Sequence, residues 1–194
     1  MSPAATTERE PDPRIARSRR VILEAALQEL GEVGYGAFRI ESVAARARVG
    51  KSTIYRHWPD KLSLIASAFE TLHEEETPEL SGGSARERIT RILRHVTEVA
   101  GDSPFSACMP AMIDAAERDA RLRRFHHDFQ AAARQPLVEL LAEGVEGGEF
   151  PAYLDPQLAG SALLGAIFFR RLMTPAPLTP EEVGALVDSV LGPG

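Results

Sequence analysis

The sequence has a single cysteine, Cys108, among its 194 residues, and this excludes an internal disulfide bond. Its first twenty residues are polar and contain no apolar segment of the kind found in secretory signal peptides. The longest uncharged apolar run, residues 158–169, is shorter than the roughly 20 residues that a membrane-spanning helix requires. We therefore expect a cytoplasmic protein in which this run forms a buried helix.

The sequence also lacks the short motifs of common catalytic and nucleotide-binding sites. It contains neither a glycine-rich phosphate loop nor a Gly-x-Ser-x-Gly motif, and no recognised signature surrounds Cys108. His126 and His127 are adjacent, so on a helix their side chains point about 100° apart and cannot bind one metal ion together. We predict that the protein is not an enzyme and has no catalytic residue, metal site or cofactor.

Lysine is scarce, and both lysines of the chain, Lys51 and Lys61, lie in one basic segment. The whole chain has a net charge of −6, but residues 14–61 have a net charge of +5, whereas residues 62–194 have −9 and residues 1–13 have −2. Attraction to nucleic-acid phosphates would therefore act at the basic segment and not elsewhere.

No segment alternates between apolar and polar residues as a strand does, and apolar residues instead recur at helical spacing. Helix start signals, such as Ser84 with Glu87 and Asp155 before a proline, support this interpretation. The predicted helices cover residues 14–33, 40–47, 51–58, 60–73, 84–100, 104–116, 119–147, 156–173 and 180–191. We predict an all-α fold.

The distribution of proline, glycine and charge divides the chain into segments. Residues 1–13 carry prolines and acids without periodicity, which predicts a flexible arm. Residues 14–61 form a three-helix unit, and residues 62–80 form a connecting helix. The Ser-Gly-Gly sequence at 81–83 is a natural boundary before a C-terminal helical domain at residues 84–194.

The second and third predicted helices are separated by three residues, 48–50, which is typical of a helix-turn-helix unit. A helix fits the major groove of DNA, and side chains near its N-terminus must be short or flexible to meet base edges. Lys51, Ser52 and Thr53 satisfy this requirement. We predict that these three residues contact bases.

The remainder of the third helix has two roles in this interpretation. Ile54 and Trp58 lie four residues apart and are expected to pack inward against the other two helices. Tyr55, Arg56 and His57 then project toward the DNA backbone, where Tyr55 and His57 offer hydrogen bonds to phosphate. Core packing is the expected role of Trp58.

The basic segment resembles the TetR family of transcriptional regulators over residues 14–66. The matching residues are Gly34-Tyr35, Val43-Ala44, Ala47-Arg48-Val49-Gly50, Thr53-Ile54-Tyr55-Arg56-His57-Trp58 and Lys61-Leu62. The resemblance implies that Lys51, Ser52 and Thr53 contact bases. Arg48, where the family commonly has glycine, and Arg39, in place of a usual serine or threonine, add cations where phosphate should run. The residues predicted to bind phosphate are Arg39, Arg48, Tyr55, Arg56, His57 and Lys61.

The resemblance also implies an effector pocket and a dimer surface in the C-terminal domain. Apolar residues surround nearly the whole helix at 156–173, which indicates a protomer core on one side and a partner subunit on the other. With the last helix it would form a four-helix bundle about a two-fold axis. The predicted dimer residues are Leu158, Ala162, Gly165, Phe169, Val183, Leu186, Val187 and Val190. The predicted pocket for an apolar or aromatic effector consists of His95, Phe105, Cys108, Met109, Met112, Phe125, Phe129 and Arg134.

These observations predict a ligand-responsive DNA-binding regulator, a repressor that binds a roughly palindromic double-stranded operator as a homodimer and is released by a small-molecule effector. Two alternatives stay open: a helical enzyme that retains the helix-turn-helix scaffold, and a protein–protein adaptor. A regulator should bind DNA in a salt-dependent way, whereas an adaptor should retain no DNA even at low salt. The operator, the effector and the choice between repressor and activator are open at this point.

Overall fold

The computed structural model describes residues 13–74, 78–101 and 103–194. Over these ranges the chain is helical and contains no strand, which confirms the predicted all-α class. The helices are α1 (Pro13–Ala37), α2 (Ile40–Ala47), α3 (Lys51–His57), α4 (Lys61–Glu74), α5 (Ala85–Gly101), α6 (Pro104–Arg118), α7 (Ala120–Glu146), α8 (Pro156–Met173) and α9 (Val183–Leu191), with a 3-10 turn at Pro180–Glu182. Apart from Pro13, the predicted arm at residues 1–13 lies outside the described residues. None of the described helices is long and apolar enough to cross a membrane.

The helix start signals identified in the sequence form the expected hydrogen bonds. The backbone N–H of Ser84 donates to the Glu87 carboxylate (2.9 Å), and the N–H of Glu87 donates to Ser84 Oγ (3.2 Å). Asp155 accepts from the first turn of α8 through the N–H groups of residues 157 and 158. The predicted capping box and cap are therefore confirmed. They were predictable from the sequence because each depends on residues within one turn of the chain.

The turn between α2 and α3 has a left-handed residue, Arg48, with φ 55° and ψ 42°. Among the residues that the structure describes, Arg48 is the only non-glycine residue with a positive φ. A side chain in this conformation is strained by roughly 1–2 kcal/mol. The N–H of Val49 donates to the Ala44 carbonyl (3.0 Å) and so closes the end of α2. Gly50 is the N-cap residue of α3, and it offers no side-chain hydrogen bond to the first turn.

Most of the buried apolar residues that the structure describes belong to one of two clusters. The first lies among α1 to α4, α6 and the start of α7, and the second lies among α5, the later part of α7, α8 and α9. The long helix α7 contributes to both, with Leu122 in the first cluster and Leu137 and Leu141 in the second. This helix therefore joins the part of the protein that carries α3 to the part that carries α8.

Helix α6 packs mainly on α1. The Cys108 thiol of α6 donates to the Leu27 carbonyl oxygen of α1 at 3.0 Å, and both groups are buried. Met112 and Ala115 of α6 lie in the first cluster with Leu30 of α1. The N-terminal three-helix unit thus shares one continuous core with α6, although the glycine-rich boundary at 81–83 separates them in the sequence.

Candidate nucleic-acid interface and effector cavity

Helix α3 has one buried face and one exposed cationic face. Ile54 is fully buried and Trp58, at the end of the helix, is 4% exposed, which confirms their predicted inward packing. Lys51 and Ser52 are exposed and Thr53 is half-buried at the N-terminal end. Because the inward anchors lie four residues apart, the polar residues between them are left on the outer surface.

The three outer residues of the last turn of α3 are also exposed. Tyr55 is 48% exposed, so about half of this aromatic side chain contacts solvent. Arg56 and His57 are exposed beside it. Arg39 and Arg48, at the two ends of α2, are exposed as well. The structure therefore brings the predicted DNA-contacting residues of α2 and α3 to the surface.

The Lys51 ammonium forms an ion pair with Glu41 of α2, with Nζ 3.3 Å from Oε1. The pKa of the Glu41 carboxyl is lowered, first by its own backbone N–H and then by the hydrogen bond from Lys51. Both side chains are about half exposed, so this pair is readily exchanged for another anion. Sequence spacing did not reveal it, since the pair spans the turn between two helices.

Helix α2 is held on α1 by a cation on one helix and two anions on the other. Arg46 donates to Glu32 through Nη1 (3.0 Å) and Nη2 (2.5 Å), and Nη2 also lies 3.4 Å from the Glu29 carboxylate. Glu29 is 5% exposed, so an unpaired charge there would be strongly unfavourable. This contact orients the helix-turn-helix unit and was not identified in the sequence.

The start of α4 is tied to α1 and to α7. Lys61 donates to the Tyr35 carbonyl oxygen at 3.2 Å. Asp60 accepts from the Ser63 N–H at 2.8 Å, as expected of an N-cap, and its other oxygen lies 3.2 Å from Arg121 Nη2. The pKa of Asp60 is lowered, first by the Ser63 N–H and also by Arg121. The Asp60–Arg121 pair joins α4 to α7.

Phenylalanine side chains of α4, α6 and α7 enclose a small cavity. Phe69 of α4 presents edge-on contacts to three other rings, with centroid distances of 6.0 Å to Phe105, 6.3 Å to Phe125 and 5.6 Å to Phe129. The enclosed volume is about 10 Å³, enough for about one water molecule. The lining residues are Phe69, Phe105, Met109, Met112, Phe125, His126, Phe129 and Gln130.

Five of the eight residues predicted for the effector pocket line this cavity, and three do not. Cys108 is buried against α1, and burial raises the pKa of its thiol to about 11. His95 lies on α5 in a separate polar surface groove of about 490 Å³ together with Arg91 and Glu98. Arg134 Nη1 lies 3.5 Å from Ser161 Oγ of α8. Cys108 and Arg134 lie on α6 and α7, which line the cavity, but their side chains contact other parts of the protein, and His95 lies on α5, which contributes no lining residue.

The sequence interpretation did not include three residues that line the cavity: Phe69, His126 and Gln130. Phe69 follows the inward period of α4, and the pair at 126 and 130 repeats the four-residue spacing of Phe125 and Phe129, so both signals were present. The pKa of His126 is lowered, first by burial and then by the charge of His127. The imidazole therefore favours its neutral form, which can either donate or accept a hydrogen bond inside the cavity.

An apolar stripe on α8 is left exposed by the residues that the structure describes. Leu158 is 70% exposed and Phe169 61% exposed, with Ala162 and Gly165 exposed between them. Met173 extends the stripe and is 72% exposed. Their spacing of three and four residues places them on one helical face.

The last helix contributes less to this face than its sequence indicates. Leu186 and Val190 are half-buried beside α8. Val183 and Val187, in contrast, are 0% and 1% exposed within the second core cluster. The prediction for these two valines is corrected, because a side chain without exposed surface in the protomer cannot contact a partner subunit.

Comparison with known proteins relates this chain to DNA-binding transcriptional regulators. The family model "Bacterial regulatory proteins, tetR family" matches residues 22–68, and "Tetracyclin repressor-like, C-terminal domain" matches residues 81–190. A DNA-binding transcriptional repressor TetR from Mycobacteroides abscessus is 31% identical over 175 residues, covering 88% of this chain and 90% of that protein.

Two solved structures have the same fold. The regulator FadR from Bacillus subtilis in complex with stearoyl-CoA has a TM-score of 0.70 at 20% identity, covering 90% of this chain and 98% of that chain. AibR in complex with isovaleryl coenzyme A and operator DNA has a TM-score of 0.67 at 20% identity, covering 91% and 100%. At these identities the structures show the fold alone. The two family models and the relative of 31% identity show that this chain belongs to the TetR family of DNA-binding transcriptional regulators, which are not enzymes.

Proposed function

We propose that this protein is a ligand-responsive repressor that binds a roughly palindromic operator as a homodimer and releases it when a small apolar or aromatic effector binds. The observation that carries the proposal is α3, whose apolar side is anchored in the core while its cationic side faces solvent. We assign DNA binding to residues 14–61, with 62–80 as the connecting helix. Effector binding and dimerisation belong to residues 84–194, and Phe69 of the connecting helix completes the wall of the effector cavity.

In this proposal Lys51, Ser52 and Thr53 contact base edges in the major groove. Lys51 exchanges its ion pair with Glu41 for an acceptor on a base. The loss of this pair costs little free energy, because an exposed ion pair contributes about 0–1 kcal/mol. The phosphate contacts come from residues on both sides of the recognition helix, which fix its register without specifying sequence. These residues are Arg39, Arg48, Tyr55, Arg56, His57 and Lys61.

Two copies of the chain are required, because one short helix offers too few contacts for a specific site. The apolar stripe on α8 supplies the surface, with Leu158, Ala162, Gly165 and Phe169 facing the partner and Leu186 and Val190 of α9 beside them. Burying it removes several large apolar side chains from water. Two-fold symmetry would then place two α3 helices in successive major grooves, about 34–36 Å apart.

The effector is proposed to enter the phenylalanine cavity. Since the enclosed volume is only about 10 Å³, any effector must displace side chains that line the cavity. Phe69 is the lining residue that belongs to α4. Helix α4 begins directly after α3, so displacement of Phe69 changes the placement of the recognition helix. His126 and Gln130 can bond a carbonyl or similar group of the ligand. The acyl-CoA ligands of FadR and AibR make acyl compounds one class to test.

The DNA-binding proposal is tested by selecting bound fragments from random duplex DNA with the purified protein. We expect a palindromic sequence, with binding that weakens steeply as salt rises. Lys51→Ala should abolish the sequence preference, whereas Arg94→Ala, an exposed cation on α5, should leave it unchanged. Recovery of no enriched sequence, with no retention of any duplex at low salt, would contradict the proposal and favour an adaptor.

The effector proposal is tested by titrating the protein–operator complex with octanoyl-CoA, octanoate and naphthalene. A ligand of the cavity should weaken operator binding by the same factor by which operator weakens ligand binding. Phe125→Ala should change the concentration at which the ligand acts, and Phe150→Ala, in the second core cluster, should not. A ligand that releases the operator equally well from both variants would place the effector site elsewhere.

A further inference from the structure

The first turn of α7 carries an arginine-rich surface within an otherwise acidic part of the chain. Arg121, Arg123 and Arg124 are exposed there, and these three residues are named the α7 arginine surface. Arg121 pairs with Asp60, and Arg123 donates to the Glu117 carbonyl oxygen at 2.7 Å. Arg124 forms no ion pair with any residue that the structure describes. The surface therefore has cationic groups available for a partner.

The α7 arginine surface lies at the same end of the molecule as the recognition helix. Arg121, at the start of α7, contacts Asp60, which immediately precedes α4. Further along both helices, Phe129 of α7 contacts Phe69 of α4, so the two helices run parallel with their N-terminal ends together. Residues 58–60 are all that separate α4 from α3.

The surroundings of Tyr35 bring this surface next to Lys61. The Lys61 ammonium lies over the Tyr35 ring, with Nζ 3.9 Å from the ring centroid. The pKa of the Tyr35 hydroxyl is raised first by burial and then by the charge of Asp119, and the charge of Arg121 opposes this increase. Lys61 and Arg121 thus both lie close enough to Tyr35 to interact with it.

We propose that the α7 arginine surface is a second phosphate-binding element, which contacts the operator backbone beyond the segment covered by α3. The inference rests on the DNA binding proposed above. Arginine is always charged and can bond a phosphate through two N–H groups, so it suits this role. Backbone contacts of this kind add affinity and salt dependence, and they leave the choice of base sequence to α3.

The test is a double variant, Arg123→Ala with Arg124→Ala, which leaves the Asp60–Arg121 pair intact. Operator affinity is measured by fluorescence anisotropy over a range of KCl concentrations. Each lost phosphate contact should reduce the slope of log affinity against log salt by about 0.9, so we expect a reduction of about 1–2 per protomer. The ranking of operator variants should stay the same.

Matched variants separate charge from structure. Arg123→Lys with Arg124→Lys retains the charges and should keep the slope near that of the unmodified protein. Arg94→Ala removes an exposed arginine from α5 and should leave the slope unchanged. Thermal unfolding of each variant establishes that the fold is retained, and the single Arg124→Ala variant should show about half of the slope change.

The position of the contact is tested by trimming the operator to the base pairs between the outer edges of the two α3 helices. On this short duplex the double variant and the unmodified protein should have equal slopes. An unchanged slope on the long operator would overturn this inference and leave the proposed function standing. If the unmodified protein binds no duplex at low salt, the proposed function itself is overturned.

Discussion

The Nζ atom of Lys61 lies 3.9 Å from the centroid of the Tyr35 ring and 3.2 Å from the Tyr35 carbonyl oxygen. The first contact is a cation–π interaction and the second a hydrogen bond, and together they hold the start of α4 against the end of α1. Lys61 is a proposed phosphate contact. In the proposed complex, Tyr35 would therefore position this ammonium group for a phosphate of the operator.

Replacing Tyr35 with leucine should weaken operator binding. A cation–π contact at a partly exposed site contributes roughly 0.5–1 kcal/mol, so we expect operator affinity to fall about threefold per protomer. Fluorescence anisotropy measures the change. Tyr35→Phe retains the ring and the backbone carbonyl and should bind as the unmodified protein does. Equal loss in both variants would show that the hydroxyl, and not the ring, is responsible.

Neighbouring residues of α3 should separate stability from DNA binding. Ile54→Ala removes a fully buried side chain and should lower the free energy of unfolding by about 2–5 kcal/mol. Tyr55→Ala alters an exposed side chain and should change that free energy by less than about 0.5 kcal/mol. Urea denaturation measures both.

The same pair should behave in the opposite way on DNA. Tyr55→Ala should reduce operator affinity about tenfold or more, because a hydrogen bond to a charged group contributes about 1.5–3 kcal/mol. Ile54→Ala, measured where it remains folded, should retain most of the affinity. A Tyr55→Ala protein that binds operator normally would remove Tyr55 from the proposed phosphate contacts.

The Cys108 thiol should be nearly inert in the folded protein. Burial raises its pKa to about 11 from an ordinary value of 9.0, so at pH 8 the thiolate is roughly a hundredfold rarer than in the unfolded chain. Labelling with a chromogenic disulfide reagent should be slow without denaturant and fast in urea. Rapid labelling of the folded protein would show that α6 separates readily from α1.

Gly165→Ala, on the proposed dimer face, should stabilise the protomer and weaken the dimer. In the protomer a Cβ at Gly165 would meet no atom within 4 Å, and alanine in a helix is favoured over glycine by about 0.8–1.0 kcal/mol. In a close helix–helix contact the same methyl group would weaken dimerisation. Analytical ultracentrifugation should show a raised dimer dissociation constant.

A charge on the same stripe should act more strongly. Phe169→Glu should convert the dimer to a monomer, whereas Tyr153→Glu, at a residue 89% exposed outside the stripe, should have no effect. A Phe169→Glu protein that stays dimeric would place the interface on another surface.

Acid should weaken the contact between α4 and α7. The pKa of Asp60 is lowered below its ordinary value of 3.8, first by the Ser63 N–H and also by Arg121. A carboxyl with a lowered folded-state pKa stabilises the fold above its unfolded-state pKa, and this stabilisation is lost as pH falls through the folded-state pKa. Urea midpoints should therefore be higher for the unmodified protein than for Asp60→Asn at pH 6. The two proteins should converge as pH falls below the lowered folded-state pKa of Asp60.

Much of the candidate DNA interface was predictable from the sequence because its determinants are local. Ile54 and Trp58 follow the four-residue spacing that places them on one helical face, and this spacing leaves Tyr55 outside. Asp60 is a local N-cap. The pairs that hold this unit in place, such as Arg46 with Glu32, join different helices, and sequence spacing contains no information about which helices become neighbours.

The sequence by itself determined which faces of the helices are apolar and, to within about four residues, where each helix begins and ends, since capping and periodicity depend on residues within one or two turns. Only the tertiary structure decided what each apolar face meets. Val187 faces the protomer core, Phe169 faces solvent and Phe129 lines a cavity, although each belongs to a set of apolar residues spaced three or four apart on its helix. The physical reason is that an apolar face requires burial without specifying its partner, and the partner is chosen by the packing of helices distant in the chain.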